Sequence, residues 1–184
     1  RKVLDGVMEA IGLGGDELLG SYPSFTDVPR WARRASRLAR LPGLPPAWPA
    51  LPKPLRPGQP KLAGLLAHRT TVPGAYFLRR GLFLPEELPA LLGAAAAREA
   101  LAEIAPVAFA ASRLAAPRPD GGRAADDWTA VQALETALYL RHQLLRDSDW
   151  AAMASGVELR VPFVDVPLWQ ALAAHGFEPA RRRG

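Results

Sequence analysis

The stretch GLGGDELLGSYPSF, Gly12 to Phe25, sets glycines at 12, 14 and 15, two adjacent carboxylates, Asp16 and Glu17, and then an aromatic-rich turn. Glycines at that density let a backbone turn tightly and bring its N–H groups against something bulky and anionic. A carboxylate directly after such a loop is well placed to hold a magnesium ion beside a phosphate. Taken alone, the pattern better fits a tight turn before a capped helix, which is a common arrangement.

The flanking sequence gives the loop its setting. Residues 1–11, RKVLDGVMEAI, contain a short apolar run that predicts a strand leading into the glycines. DELL opens a short helix, with Asp16 suited to the N-cap and Glu17 to the first turn; Gly20 and Pro23 end it. Val28, Trp31, Ala35, Leu38 and Leu41 then recur at helical spacing with arginines between them. Residues 41–60 hold eight prolines, a density that forbids helix or central strand and predicts an extended connector. Residues 84–105 read as helix starting near Pro85 or Pro89, and PRPDGGR, 117–123, reads as a turn.

In DDWTAVQALETALYLRHQLLRDSD, 126–149, the side chains of Trp128, Val131, Leu134, Leu138 and Leu145 fall on one α-helical stripe. Gly156 is expected to cap the helical segment that follows. VELRVPFVD, 157–165, alternates with a period of two, and its Pro162 excludes a central strand position. Glu158 and Arg160, flanked by Asp149 and Asp165, predict a partly buried ion-pair network. VPLWQALAAHG reads as a closing helix, and Trp128, Trp150 and Trp169 as core.

Composition narrows the classes. The 184 residues are 49% hydrophobic, which suits a globular chain and excludes general disorder. There is no cysteine, so disulfides and thiolate metal sites are excluded, and the three histidines, His68, His142 and His175, lack ligand spacing. No apolar run is long enough for a transmembrane helix. The net charge is +5 and the positives are scattered without aromatic interleaving, so nucleic-acid binding is not expected.

Two separated stretches share one resemblance. GLGGDELLGSYPSF resembles the first signature of the asparagine synthetase family, Ser-Gly-x-Gly-(Gly/Ala/Ser)-Asp-Glu followed by Gly-Gly-Tyr. YLRHQLLRDSDWAAMASGVELRVPFVD, 139–165, resembles the second, long signature, in the same order and at a suitable spacing. The resemblance implies the α/β synthetase domain of the ATP-pyrophosphatase type, of which this segment would be a mainly helical part. It implies a cytoplasmic ligase that adenylates the aspartate side chain with Mg-ATP and lets glutamine-derived ammonia displace AMP. Beta-lactam synthetases and lasso-peptide cyclases reuse the same domain to close amide rings.

Carried onto this sequence, the resemblance makes Ile11, Gly12, Leu13, Gly14, Gly15 and Glu17 the nucleotide pocket and Asp16 the magnesium ligand. Glu158, Arg160 and Asp165 become the neighbouring wall, either structural or touching substrate. Residues 1–40 would carry the glycine-loop part of the domain, 41–125 a proline-rich connector and variable helical region, and 126–184 the C-terminal helical part.

The departures are specific. Ile11 stands where the family has serine, Leu13 where well-behaved members have glutamate, and Ala152, Met153, Ala154 where it has Ser-Met-Ala. The upstream Ser-Gly-Gly-x-Asp-Ser pyrophosphate loop and the downstream catalytic lysine are absent; Lys2, Lys53 and Lys61 lie in the wrong region. The expectation is therefore a domain incomplete at both ends, without catalytic residues of its own, inactive alone, and lacking the family's glutaminase domain. Such a piece would be prone to pair with itself. The alternative is a non-catalytic remnant or protein-interaction module of the same family.

Overall fold

The computed structural model describes residues 8–10, 12–38, 40, 71–114 and 126–174. The proline-rich connector, the 117–123 turn, Ile11, Trp48 and Leu41 lie outside them. The chain forms two compact units, one of residues 1–22, 118–123 and 132–184, the other of residues 23–117 and 124–131.

The first unit holds a parallel pair of three-residue strands, β1 (Met8–Ala10) and β2 (Glu158–Arg160), with Met8 opposite Glu158, Glu9 opposite Leu159 and Ala10 opposite Arg160. Between β1 and the short helix α1 (Gly15–Leu19) lies the glycine loop. Gly14 is the N-cap of α1, with φ +91°, and Gly20 ends it. Asp16 therefore stands inside the first turn, not at the expected N-cap. Two glycines in left-handed backbone bracket a helix that could hardly be shorter.

The second unit is helical. It consists of α2 (Ser24–Leu38), α3 (Val72–Arg80), α4 (Leu88–Leu92), α5 (Ala94–Ile104) and α6 (Pro106–Leu114). α2 packs on α3, and α3 on α6. Phe25, Val28, Ala32 and Ala35 form the buried stripe of α2, at the i, i+3, i+4 spacing of an amphipathic helix. They meet Ala75, Tyr76 and Leu78 of the second unit's core. Thr71 caps α3 by accepting from the Gly74 N–H at 3.3 Å, and Pro73 sits in its first turn, where a missing N–H costs nothing. Phe25 and Trp128 stack at 5.0 Å between ring centroids. The helix expected over 84–105 is broken at Gly93, φ +83°, into α4 and α5.

The segment read as one helix over 126–149 is three. α7 (Asp127–Leu134) passes into a π-helix, Glu135–Leu144, and then into α8 (Leu145–Ala154). The i→i+5 hydrogen bonding of the π segment widens each turn and shifts the phase of the buried face. Val131 and Leu134 are buried as the stripe predicts, but Leu140 takes the buried place expected for Leu138, which is only half-buried. The shift also explains Trp150, expected in the core and found 71% exposed. Gly156 follows α8 at φ +66° and its N–H donates to the Met153 carbonyl, as expected of a C-terminal glycine. A 3₁₀ turn, Pro162–Val164, and α9 (Val166–Ala174) close the described chain.

Candidate functional site at the glycine loop

All the residues of the candidate site belong to the first unit. β1 delivers the chain to the glycines, and β2, its parallel neighbour, delivers the second signature to the same end of the strand pair. In open parallel sheets ligand sites form where the chain leaves the carboxyl ends of the strands, and the glycine loop leaves β1 at that end.

The two stretches touch. A Cβ added to Gly14 would stand 2.9 Å from Val164 Cγ2 and 3.0 Å from the Phe163 carbonyl oxygen. A Cβ on Gly15 would meet the Phe163 ring at 3.6 Å, an ordinary contact. The Phe163 carbonyl is itself fixed, because the Trp169 indole N–H donates to it at 2.6 Å. Gly14 is thus the point where the loop seats on the 3₁₀ turn, and only a residue without a side chain fits there. At Gly12 an added Cβ meets nothing within 4 Å. Gly12 is exposed, so the backbone there can be approached from outside. The Gly15 N–H donates to the Gly12 carbonyl at 3.1 Å and closes the turn.

Asp16 and Glu17 have opposite fates. Asp16 is exposed, whereas Glu17 is fully buried, and neither of its carboxyl oxygens has a hydrogen-bond partner. Burial is the largest influence on Glu17 and raises its carboxyl above the ordinary carboxylate range. The backbone amide and the Tyr22 phenol, which approaches without closing a bond of good geometry, lower it; the carboxyls of Glu135 and Asp16 raise it further. Burial also raises the Tyr22 phenol, with the Glu17 and Asp16 charges adding to the shift.

The floor under α1 was not foreseen from the sequence. Gln132 donates its side-chain amide to the carbonyls of Glu17 and Leu18, at 3.2 and 3.4 Å, satisfying the open end of α1. Glu135, wholly buried at the start of the π-helix, lies close enough to Glu17 to feel its charge. Tyr139 meets Tyr22 edge to face at 5.8 Å. One signal was available: Glu135 falls four residues after Val131, on the apolar side of the helix, where a carboxylate needs a reason to be.

The expected network around Glu158 is looser than predicted. Glu158 and Arg160 pair at 2.6 Å as alternate residues on one face of β2, and both side chains are 62% exposed. Asp165 stands apart from them as a helix cap, accepting from the Leu168 N–H at 3.1 Å. An exposed pair of this kind contributes about 0–1 kcal/mol. Glu158→Gln should therefore leave the urea midpoint of the protein almost unchanged, and a loss of 2 kcal/mol or more, roughly the scale of a buried pair, would refute the exposed geometry.

Among the described residues, no group of three or more His, Cys, Asp or Glu side chains converges as a metal site. Asp16 does offer a hard, exposed oxygen ligand, and magnesium is commonly held by one or two carboxylates together with substrate phosphates.

The asparagine synthase family model matches residues 11–177, and the chain belongs to that family. The family's general kind is the ATP-dependent amidoligase with small-molecule substrates, and membership implies the synthetase-domain fold. No curated protein and no solved structure matches the chain. No described helix is long and apolar enough to cross a membrane.

Proposed function

We propose that the glycine loop forms one wall of an asparagine synthase-type ATP site, in which a carboxylate such as the side chain of aspartate is activated and then amidated. In that reaction a carboxylate oxygen attacks the α-phosphorus of ATP, pyrophosphate leaves, and ammonia drawn from glutamine displaces AMP from the acyl carbon. Bound magnesium would neutralise phosphate charge during the first step.

The single observation that supports this reading is the seating of Gly14 on Phe163 and Val164. It joins two signatures nearly 150 residues apart, and it leaves Gly12 open toward solvent. On this reading Gly12 and Leu13 border the nucleotide, with Ile11 at the loop's start, and Gly15 keeps the turn closed through its bond to Gly12. Asp16 holds the magnesium ion. Glu17 supports the loop from below. Leu13 performs no acid–base work, so proton transfer would fall to other groups or to the incoming amine. A glutaminase domain or partner, in a cytoplasmic setting, would supply the ammonia.

The second reading is a non-catalytic interaction module of the same family. It is favoured by Leu13 and by the exposure of Trp150 and Met153, each 71% open. Calorimetry with ATP separates the two. The first reading expects magnesium-dependent binding that Asp16→Asn weakens tenfold or more, about 1.4 kcal/mol. Binding indifferent to magnesium and to that substitution would end it and favour the module.

A further inference from the structure

On α2, the arginines Arg30, Arg33, Arg34, Arg37 and Arg40 lie at and just beyond the helix's exposed side. At 3.6 residues per turn, Arg30, Arg33, Arg34 and Arg37 point within a sector of about 100°, and Arg40 follows beyond the helix end at Leu38. The opposite sector, Phe25, Val28, Ala32 and Ala35, is consumed by the core of the second unit.

That face is not flat. A cavity of about 290 Å³ is bounded by Arg33, Ser36, Arg37, Arg40, Val72 and Asp127, all within the second unit. Among the described residues that line it, Asp127 is the one carboxylate, and it is taken by Arg33 at 2.8 Å. The nearby Asp27 is paired with Arg79 at 3.5 Å. Among the described residues neither the Arg37 nor the Arg40 side chain has a partner, so the cavity carries an uncompensated positive charge. Like charges three and four residues apart on a helix repel one another. An anion in the cavity would reverse that sign.

Arginine selects the class of anion. Its planar fork matches the oxygens of phosphate bidentately, where lysine offers only a point charge. The volume sits at the lower limit of ligand pockets and exceeds what one phosphate fills. Val72 gives one apolar edge, and the Ser36 hydroxyl, which donates to the Ala32 carbonyl at 2.9 Å, adds a polar lip.

We infer that the cavity between Arg33, Arg37 and Arg40 is a binding site for a small oligophosphate, two or more linked phosphate groups, built from residues other than those of the glycine loop. The phosphates are those of free pyrophosphate or of a nucleotide's tail, two sources that the test separates. The site does not depend on magnesium, because guanidinium groups neutralise the charge directly.

The test is calorimetric titration of the whole chain with inorganic pyrophosphate in magnesium-free buffer containing a chelator. The expected result is saturable one-to-one binding that Arg37→Gln/Arg40→Gln weakens at least tenfold. Arg98→Gln, which removes a charge on exposed α5, should change it less than about twofold. ADP binding as tightly as pyrophosphate, with adenosine inert, would assign the site to nucleotide tails; pyrophosphate alone would assign it to the free anion. Either supports the site. No saturation below about 10 mM, or equal affinity in the double variant, overturns it. Tighter binding of single-stranded DNA, with a steep salt dependence that Arg98→Gln also reduces, overturns it in favour of a diffuse polyanion surface.

Discussion

Gly14→Ala should be the most damaging of the glycine-to-alanine changes at Gly12, Gly14, Gly15 and Gly156 in the first unit. Two costs combine. At φ +91° an L side chain is strained whatever the surrounding space, by about 1–2 kcal/mol. The new Cβ would also stand 2.9 Å from Val164 Cγ2 and 3.0 Å from the Phe163 carbonyl oxygen. The valine methyl can rotate away, but the carbonyl is backbone and is held by the Trp169 indole. Overpacking against such a wall costs about 1–3 kcal/mol more.

The expected loss is therefore about 2–5 kcal/mol in urea unfolding. Gly15→Ala is the control, since its Cβ would make an ordinary 3.6 Å contact with the Phe163 ring, and it should cost under about 1 kcal/mol. Val164→Ala in the Gly14→Ala background should recover the steric part and leave the backbone part, a coupling that a double-mutant cycle measures. A Gly14→Ala protein as stable as the wild type would show that the loop does not seat on the 3₁₀ turn. The structural basis of the proposed ATP wall would go with it.

Local chemistry was legible in the sequence. The β1 strand, the end of the short α1 at Gly20, the Gly156 stop and the extended character of 158–160 rest on residues that dictate their own backbone, and each stands where expected; only the start of α1 moves, from Asp16 to Gly14 as N-cap. What was not legible depends on packing between distant segments. Nothing in residues 135–144 announces a π-helix, because its wider turn is decided by what the helix rests against. Once that turn shifts phase, an α-helical stripe running from Trp128 places Leu138 too deep, and the separate reading of Trp150 as core fails as well.

The candidate site divides in the same way. The glycines and carboxylates could be found by family resemblance, and so could their neighbour at 157–165. That Gly14 is held for packing, while Gly12 faces open space, could not. Nor could the split between Asp16 and Glu17, since adjacent residues in a five-residue helix point in directions set only by how that helix docks.

Glu17 gives the second large effect, one that reads the electrostatics of this docking. A fully buried carboxyl with no partner for either oxygen opposes folding when ionised, by about 1–3 kcal/mol or more. Its value is raised in the folded chain, so the folded chain holds the proton more tightly than the unfolded one. The stabilisation this provides is complete below the ordinary carboxylate value and is lost as pH rises through the raised value. The wild-type protein should accordingly lose stability on going from mildly acidic to neutral pH. Glu17→Gln keeps the shape and removes the charge. The variant should be at least as stable as the wild type at pH 8, by on the order of 1 kcal/mol, and should lack the wild type's decline between acidic and neutral pH. Melting curves of both proteins across that range decide the matter. An unchanged pH slope in Glu17→Gln, or a variant weakened at pH 8, would mean that the carboxylate is satisfied and ionised in the folded chain. Glu17 would then belong among the groups that hold charge at the site, and its role as a neutral support beneath the loop would fall.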